Sequence, residues 1–348
     1  MTTSSIAAPD LGAICRSALG RDVLSSAPIG TGINSRVFRV ELDGDGAAPR
    51  RVVAKFYRQH AGDSRDRLTT EFTGLQFLWQ NGVRSIPSPI AVARNRACAI
   101  YEYIDGEAAT TASVRPEDID ASVDFLCLLK RLREAPGAGS LPAASEACFS
   151  LAAIVASVGQ RLDQLRRPPA ASDDVDRMQH WLDDRFLPLE ADVRRWCSDA
   201  ASRLGIAFEE PIARDARTLS PSDFGFHNAI RRPDGALAFV DFEYFGWDDP
   251  AKTIADYLLH PGMPLDGGLK QRFVRRMLTA FADVPDLAAR SRIVYPLFGL
   301  KWVLILLNDF VAERFAASTR ERRTAQLAKA QALLARVAGE YASNPFLS

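Results

Sequence analysis

The order of apolar and polar positions divides the chain into a first part that favours strands and a longer part that favours helices. Residues 36–42 and 50–57, RVFRVEL and RRVVAKFY, flank an Asp-Gly-Asp-Gly turn signal and predict a hairpin. Residues 66–82 have apolar side chains at helical spacing and end at Asn-Gly, which predicts a helix. Two short strands are expected within residues 85–107, around an Arg-Asn-Arg turn.

After about residue 108 the pattern is mainly helical. Strand character returns only over residues 217–242. We therefore expect an α+β fold, with a small β-rich lobe over residues 1–104 and a larger, mainly helical lobe over residues 105–348. Helices of the second lobe are predicted over residues 117–134, 147–167, 173–204 and most of 250–340.

Composition and charge narrow the class of protein. The chain has 348 residues, is 47% hydrophobic and carries no net formal charge. It can therefore build large cores, and it lacks the basic excess that is typical of proteins that bind nucleic acid or membrane surfaces. The most apolar stretch, residues 295–310, contains Lys301 and Asn308 and is too short to cross a bilayer. It is expected to form a buried helix.

The cysteines and the N-terminus point to a reduced, cytoplasmic environment. The five cysteines are widely spaced, without a Cys-x-x-Cys pair, and the four histidines form no pattern with them. This spacing argues against a disulfide framework and against a zinc site. The first fifteen residues lack a basic segment followed by an apolar core, so no signal peptide is expected. The sequence gives no indication of the oligomeric state.

Residues with phosphate-binding chemistry occur in the first lobe. Gly30 and Gly32 lie in a turn between predicted strands, where glycine lets backbone N–H groups approach an anion closely. Taken alone, the two glycines are more typical of a plain hairpin turn than of a phosphate-binding turn. Lys55 interrupts an apolar strand, and Glu71 lies on the apolar face of the next helix. A Lys55–Glu71 pair would hold the ammonium where it can bind nucleotide phosphates, whereas an edge strand would expose Lys55 to water.

A second group of polar residues surrounds the strand character at 217–242. Asp223 and Asn228 precede a turn and a short strand, and Asp241 follows that strand. A hairpin can bring Asn228 and Asp241 together as oxygen ligands for Mg²⁺. Asp223 would then be free to accept a proton from a substrate hydroxyl. The alternative is that Asp223 and Asp241 are ordinary caps of a turn and a strand.

The order of these residues resembles the aminoglycoside phosphotransferase and choline kinase group, small-molecule kinases with a bilobal protein-kinase-like fold. The resemblance covers about residues 25–260. It rests on the glycine turn, on Asp249-Pro250 and on Lys55, Glu71, Asp223, Asn228 and Asp241.

The resemblance implies ATP and Mg²⁺ as cofactors and a role for each matching residue. Lys55, supported by Glu71, would hold the nucleotide phosphates, and Asp223 would be the catalytic base. Asn228 and Asp241 would bind Mg²⁺. The segment 100–107 resembles the connection whose backbone binds adenine, through Glu102, Tyr103 and Ile104.

The chain departs from the family pattern around Asp223. Pro221-Ser222 stands where the family usually has His-Gly, and Gly225 stands where a second histidine is common. The usual His-Gly pair supports the loop and does not transfer the proton, so we still expect an active enzyme. His227 is expected to be a hydrogen-bonding loop residue.

We therefore expect a kinase that transfers the γ-phosphoryl group of ATP to a hydroxyl of a sugar, an amino sugar or an amino alcohol. The alternative is a catalytically inactive kinase-like module that binds nucleotide. A protein kinase is disfavoured because the segment between Asp241 and Asp249 has no room for an activation segment. The position of Glu243 stays open, either near the metal ion or on the surface. The roles of three further acids also stay open, because they either bind a cationic amine or cap local structure: Asp248, Asp249 and Asp256.

Overall fold

A computed structural model of the chain describes residues 10–32, 34–44, 50–59, 63 and 65–347. The chain forms two compact units, residues 1–108 with 229–244, and residues 109–228 with 245–348. The predicted boundary at residue 104 lies four residues earlier, and the prediction placed residues 229–244 with the helical part. The structure differs because a strand at residues 107–108 pairs with one at residues 229–231.

The secondary structure follows the predicted order. The strands are β1 Val23–Thr31, β2 Ser35–Leu42, β3 Arg51–Tyr57, β4 Pro89–Ala93, β5 Cys98–Glu102, β6 Glu107–Ala108, β7 Thr218–Ser220, β8 Ala229–Arg231, β9 Leu237–Phe239 and β10 Gly246–Asp248. The helices are α1 Leu11–Leu19, α2 Arg67–Gln80, α3 Pro116–Leu132, α4 Leu151–Leu165, α5 Asp173–Trp181, α6 Leu187–Arg203, α7 Pro250–Leu259, α8 Gly267–Ala280, α9 Leu287–Leu306, α10 Ala312–Phe315 and α11 Arg320–Glu340. A π-helical turn, Leu182–Phe186, joins α5 to α6.

The first unit contains an antiparallel five-stranded sheet in the order β1-β2-β3-β5-β4. The predicted hairpin is β2–β3, and the predicted helix is α2. The sequence patterns missed α1, a nine-residue helix that begins at the cap residue Asp10 and ends at Gly20 in the left-handed conformation. Its apolar side chains pack with those of the sheet in one core.

Strand β3 separates this apolar core from a polar group on the other face of the sheet. Val52, Ala54 and Phe56 belong to the core that contains α1. Because side chains alternate along a strand, Lys55 and Tyr57 point to the opposite face, where both contact a side chain of α2. The alternation therefore positions one lysine inside the protein without disturbing the apolar core.

A small sheet in the order β6-β8-β9 completes the first unit. Gly106, just before β6, has a φ angle of +147°. A Cβ atom there would lie 2.2 Å from the carbonyl oxygen of Arg231. Only glycine permits this close approach of the two backbones. The contact fixes residues 229–244 to the first unit, although they follow the predicted catalytic loop in sequence.

The second unit is built around α9, which is buried along most of its length. Its core includes the fully buried side chains of Tyr295 and Phe298. This confirms the buried helix that was predicted from the apolar stretch 295–310. A membrane-spanning helix is not found in the described part of the chain, because no helix there combines the necessary length with sufficient apolar character.

The positive charge of Lys301, within α9, is paired with the carboxylate of Glu146, which lies outside the helix. Lys301 is buried, and its Nζ lies 2.9 Å from Oε2 of Glu146. Arg161 contacts the same oxygen at 2.9 Å. Burial alone would raise the pKa of Glu146, but Lys301 and Arg161 together lower it to about 2. The carboxylate therefore stays ionised throughout the neutral range.

Replacing Lys301 with Met is expected to lower the free energy of unfolding by about 3 kcal/mol at pH 7, since it leaves Glu146 short of a buried partner. Because the folded-state pKa of Glu146 is depressed, its contribution is complete above about pH 4.5 and is lost as the pH falls towards 2. The difference between wild type and variant should therefore shrink on acidification. Urea unfolding from pH 7 to pH 3 measures this, with the exposed Lys329→Met as control; a difference that is independent of pH would contradict it.

Candidate active site

Lys55 lies at the centre of the polar group in the first unit. Its Nζ donates to Oε2 of Glu71 and to Oδ1 of Asp241, both at 2.6 Å. Lys55 is only 6% exposed, and β3 pairs with a strand on each side. The edge-strand alternative for Lys55 is therefore wrong. The structure brings together the lysine, the helix glutamate and the aspartate that the sequence singled out.

Glu71 connects three parts of the first unit through one carboxylate. Its Oε2 accepts from Lys55 and from the hydroxyl of Tyr57 at 2.8 Å, and that hydroxyl lies 2.7 Å from the hydroxyl of Tyr101. Its Oε1 accepts from the backbone N–H of Phe242 at 3.2 Å. Burial raises the pKa of Glu71, and the attraction of Lys55 only partly offsets this. The network fixes the position of Lys55 and of the backbone next to Asp241.

Asp241 has a backbone conformation that is rare for a residue with a side chain. It lies two residues after β9 and has a φ angle of +68°. Such a left-handed conformation costs on the order of 1 kcal/mol for a non-glycine residue. The hydrogen bond from Phe242 to Glu71 holds the adjacent peptide in place. The Asp241 side chain is 39% exposed, so part of its carboxylate is accessible from solvent.

Glu243 is buried, and the alternative that it is a surface residue is wrong. Its Oε1 accepts from Nδ2 of Asn34 at 2.7 Å, and its Oε2 lies 3.7 Å from Nζ of Lys55. Arg67 approaches it at 3.7 Å. Burial and the neighbouring Asp241 raise the pKa of Glu243 above its usual value. No periodic pattern of apolar residues in the sequence predicts the burial of Glu243.

The acidic group in the first unit has the chemistry of a magnesium site. Oxygen atoms of Glu71, Asp241 and Glu243 lie within 4.8 Å of one another. Three carboxylates face the positive charges of Lys55 and Arg67, which leaves a surplus of negative charge. Hard oxygen donors and surplus negative charge fit Mg²⁺, and Asp241 is the carboxylate that solvent reaches.

The sequence placed both glycines in a turn, but Gly30 is part of β1, and of the two glycines only Gly32 lies in the turn between β1 and β2. Gly30 pairs with Val37, and the N–H of Gly32 donates to the carbonyl of Ser35 at 3.0 Å. Neither glycine has a positive φ angle, and a Cβ atom at either position would meet neighbours at ordinary distances of 3.7 and 3.8 Å. Contacts within the described residues therefore do not require glycine here. Phosphate binding by this turn stays a prediction.

The residues that were predicted to bind adenine lie at the end of β5 and just after it. The backbone N–H of Glu102 donates to the carbonyl of Ser88, and its carboxylate accepts from the N–H of Ser88 at 3.0 Å. The guanidinium of Arg51 lies over the ring of Tyr103 at 5.1 Å, and Ile104 is buried. The segment is well anchored, and adenine binding by its backbone stays a prediction.

Asp223 and Asn228 belong to the second unit, and their loop is internally hydrogen-bonded. The side-chain amide of Asn228 donates to the backbone carbonyl of Asp223 at 3.0 Å, which leaves the amide oxygen as its ligand atom. Oδ1 of Asp223 lies 2.9 Å from Nε2 of His227 and 3.5 Å from Nε2 of His260. Burial raises the pKa of Asp223, but His227 outweighs it and the net pKa is lowered. His227 is a hydrogen-bonding loop residue, as predicted, whereas His260 was missed.

Pro221-Ser222, which replaces the usual His-Gly, is held by a lysine that sequence reasoning missed. Ser222 has a φ angle of +68°, and its N–H donates to Oγ of Ser220 at 3.0 Å. Nζ of Lys252 donates to Oγ of Ser222 and to Oδ2 of Asp248, each at 2.9 Å. Lys252 is buried within the apolar helix α7. The sequence feature that identified Lys55, a lysine inside an apolar run, is also present at Lys252.

The three acids that follow the loop of Asp223 all form ion pairs or hydrogen bonds within the protein. Asp248 is fully buried against Lys252. Asp249 caps the N-terminus of α7 and pairs with Arg290 at 2.6 Å. Asp256 lies 3.0 Å from Lys252 and accepts from the indole N–H of Trp302. The structure thus favours structural roles for these acids over the binding of a cationic amine.

Comparison with known proteins agrees with the chemistry that the site geometry indicates. Residues 26–292 match the model of the phosphotransferase enzyme family. None of the curated protein sequences matches the chain. Similar solved structures cover nearly the whole chain, but at identities of 11–18%, which show the fold alone.

Three of these structures illustrate the likeness. Spectinomycin phosphotransferase APH(9)-Ia, solved with ADP and spectinomycin, has a TM-score of 0.64 and 11% identity over 94% of this chain and 97% of its own. A choline/ethanolamine kinase family protein from Mesorhizobium loti has a TM-score of 0.53 and 18% identity over 90% and 92%. ADP-bound aminoglycoside phosphotransferase APH(2'')-Ib has a TM-score of 0.57 and 16% identity over 90% and 94%.

The family match covers well over half of the chain, and the solved structures share its bilobal α+β fold. The predicted resemblance and the predicted fold class are therefore confirmed. The chain belongs to the phosphotransferase enzyme family, and it is an enzyme of that kind, a phosphotransferase.

Proposed function

We propose that the protein transfers the γ-phosphoryl group of ATP, in the presence of Mg²⁺, to a hydroxyl group of a small molecule. The observation that carries the proposal is the buried Lys55, held between Glu71 and the partly exposed Asp241 at 2.6 Å from each. A lysine in this arrangement presents a fixed positive charge to nucleotide phosphates. Gly30, Gly32 and the backbone of residues 102–104 are assigned to nucleotide binding in the same proposal.

The division of roles follows from the chemistry of each residue. Lys55 binds the phosphate oxygens, and Glu71 keeps its ammonium in place. Asn228 and Asp241 are assigned as Mg²⁺ ligands through their side-chain oxygens, and the bound ion would supply charge that neutralises the phosphoryl group. Asp223 orients the acceptor hydroxyl and accepts its proton.

The acceptor is assigned to hydroxyl compounds: a sugar first, then an amino sugar or an amino alcohol. The internal pairing of Asp248, Asp249 and Asp256 supports a sugar, because none of these acids is left to bind an ammonium group. Recognition would then depend on hydroxyl groups of the acceptor. The proposal places the protein in the cytoplasm, where ATP is available, without a nucleic-acid or membrane partner.

Purified protein tests this function in two steps. Mg-ATP is expected to raise the melting temperature, since a ligand at 100 times its Kd stabilises the folded state by about 2.7 kcal/mol. ADP formation is then followed across a panel of sugars, amino sugars and amino alcohols. We expect a hydroxylated acceptor to accelerate ADP formation well above the rate with water.

The competing function is a module that binds nucleotide without transferring phosphate. It predicts stabilisation by Mg-ATP but no acceptor-dependent ADP formation with any compound. The buried Lys55–Glu71 pair, the partly exposed Asp241 and the internally bonded loop of Asp223 favour the enzyme. Absence of any stabilisation by Mg-ATP would contradict both functions.

A further inference from the structure

Two imidazole rings converge on one oxygen of Asp223. Nε2 of His227 lies 2.9 Å from Oδ1, and Nε2 of His260 lies 3.5 Å from the same atom. The two rings are stacked, with centroids 4.0 Å apart and an angle of 6° between their planes. Within the second unit, the described residues make no hydrogen bond to Oδ2 of Asp223. The two oxygens of this carboxylate therefore have different surroundings.

The orientation of the His260 ring is fixed by its other contacts. Its Nδ1 accepts from the backbone N–H of Gly262 at 3.0 Å, and Trp302 packs against the ring edge-on at 4.6 Å. In a neutral imidazole whose Nδ1 accepts, the proton is on Nε2. The proton of His260 is therefore on Nε2, the nitrogen that lies 3.5 Å from Oδ1 of Asp223, too far for a good hydrogen bond.

The His227 ring occupies space that glycine at position 225 leaves open. A Cβ atom on Gly225 would lie 3.0 Å from Nδ1 of His227 and 2.5 Å from Sδ of Met263. Any side chain at position 225 would thus displace one of these two groups. Glycine at position 225 departs from the family pattern. It leaves room for the His227 ring, which stacks on His260.

A metal site does not explain these three residues. Asp223, His227 and His260 offer ligand atoms within 4.8 Å of one another. A metal ion binds an imidazole nitrogen through its lone pair, however, and the hydrogen bond from Gly262 assigns the proton of His260 to the nitrogen that faces the cluster. The hydrogen bond between His227 and Asp223, together with the stacking of His260 on His227, accounts for the geometry.

We propose that His260 is a positioning residue, which acts with His227 to hold Asp223 through Oδ1 so that Oδ2 is the atom that accepts the substrate proton. The inference rests on the proposed function of Asp223. In the reaction, the acceptor O–H bond breaks and its proton moves to Oδ2, while the acceptor oxygen forms a bond to the γ-phosphorus. The bond from that phosphorus to the bridging oxygen breaks, and ADP leaves with the electron pair.

Nitrogen-15 NMR of the histidine side chains tests the geometry without an activity measurement. The chain has only four histidines, so single His→Gln variants assign the signals. At pH 7.5 we expect His260 as the neutral tautomer with the proton on Nε2, and we expect Asp223→Asn to shift the Nε2 signal of His227. A proton on Nδ1 of His260, or a doubly protonated ring, would overturn the inference.

Kinetics test whether the positioning matters for turnover, with phosphate release from Mg-ATP to water as the measured reaction. We expect His260→Leu to lower kcat about 10- to 100-fold, because small displacements of a catalytic group have effects of this size, and to leave KM for ATP within about twofold. His260→Gln places an amide N–H near the lost Nε2–H and should restore most of the rate. The exposed His180→Gln on α5 is the control and should behave as wild type.

The outcomes separate this inference from the proposed function. If Asp223→Asn turns over as fast as wild type, the proposed function fails and the inference fails with it. If Asp223→Asn loses turnover while His260→Leu keeps the wild-type kcat, the inference alone fails. The inference also fails if His260→Leu raises KM for ATP and leaves kcat unchanged. That result would indicate a general loss of the fold around the loop.

Discussion

Replacing Asp223 with Asn is expected to lower kcat by about 10²- to 10⁴-fold, the usual contribution of a catalytic base, and to leave ATP affinity unchanged. Asn has the size of Asp and keeps an oxygen that accepts from His227, so the loop should remain in place. It cannot accept the proton of the acceptor hydroxyl. Steady-state kinetics with the acceptor found by screening, together with calorimetric titration of Mg-ATP, measure both quantities.

The control for this variant is Asp215→Asn, which removes an exposed carboxylate before the same loop and should change neither quantity. Equal activity of Asp223→Asn and wild type would contradict the role of Asp223. A parallel loss of ATP affinity would also contradict it, since it would assign Asp223 to nucleotide binding.

In the proposed function, the charge state of Asp223 favours a role in orienting the acceptor hydroxyl. Burial raises its pKa, but His227 and His260 lower it below the usual value, so the carboxylate stays ionised throughout the neutral range. A carboxylate with a low pKa is a weak proton acceptor until the acceptor oxygen has begun to bond to phosphorus. Fixing one oxygen by the hydrogen bond to His227, on which His260 stacks, therefore contributes through geometry.

Local patterns were sufficient to predict most of the first-unit site. Lys55 was identified because a charge inside an apolar strand needs a buried partner, and Glu71 because it interrupts the apolar face of the next helix. Both signals depend on a few neighbouring residues and on known side-chain periods. The structure places the two side chains 2.6 Å apart.

Features that depend on distant parts of the chain could not be predicted in this way. The stacking of His260 on His227 joins positions 33 residues apart, and nothing in either local sequence indicates the contact. Glu243 is buried beside Asn34 and Lys55, and residues 229–244 join the first unit through the pairing of β8 with β6 and through side-chain contacts with Lys55 and Glu71. Long-range pairing of this kind is set by the whole fold, which one sequence does not reveal.

The departure at Pro221-Ser222 is compensated within the second unit. The strained φ angle of Ser222 is held by its own hydrogen bond to Ser220 and by Lys252. The pKa of Lys252 is raised despite burial, because Asp248 and Asp256 face it, so its ammonium stays charged. A charged lysine thus supports the loop at Pro221-Ser222, where the family pattern predicted a histidine and a glycine.

Replacing Lys55 with Met is expected to lower turnover about 10²- to 10³-fold, the typical effect of removing a group that stabilises charge in the transition state. It should also weaken the stabilisation by Mg-ATP, because Met keeps the length of the side chain but cannot bind phosphate. The fold should lose about 3 kcal/mol, since Glu71 would be buried without its cation. Urea unfolding, Mg-ATP titration and ADP formation measure the three effects.

Lys301→Met is the matched control for Lys55→Met, because it also removes a buried lysine that is paired with a glutamate. It should lose similar stability and keep its response to Mg-ATP. An equal loss of nucleotide response in both variants would show that general destabilisation, and not the Lys55 charge, causes the defect.

The role of Glu71 can be separated from that of Lys55 by combining substitutions. If Glu71 acts on the phosphates only by holding Lys55, Glu71→Gln should lower kcat in a chain with Lys55 and have little further effect in Lys55→Met. Additive losses would instead indicate that Glu71 has a separate contact with the nucleotide or its metal ion, which its position within 4.8 Å of Asp241 and Glu243 also permits. Assays with and without Mg²⁺ distinguish these results further. A defect of Glu71→Gln that acts through the metal ion should disappear under conditions in which turnover does not depend on Mg²⁺. The cycle thus decides whether the carboxylate on α2 is a support for the lysine or a member of the metal site.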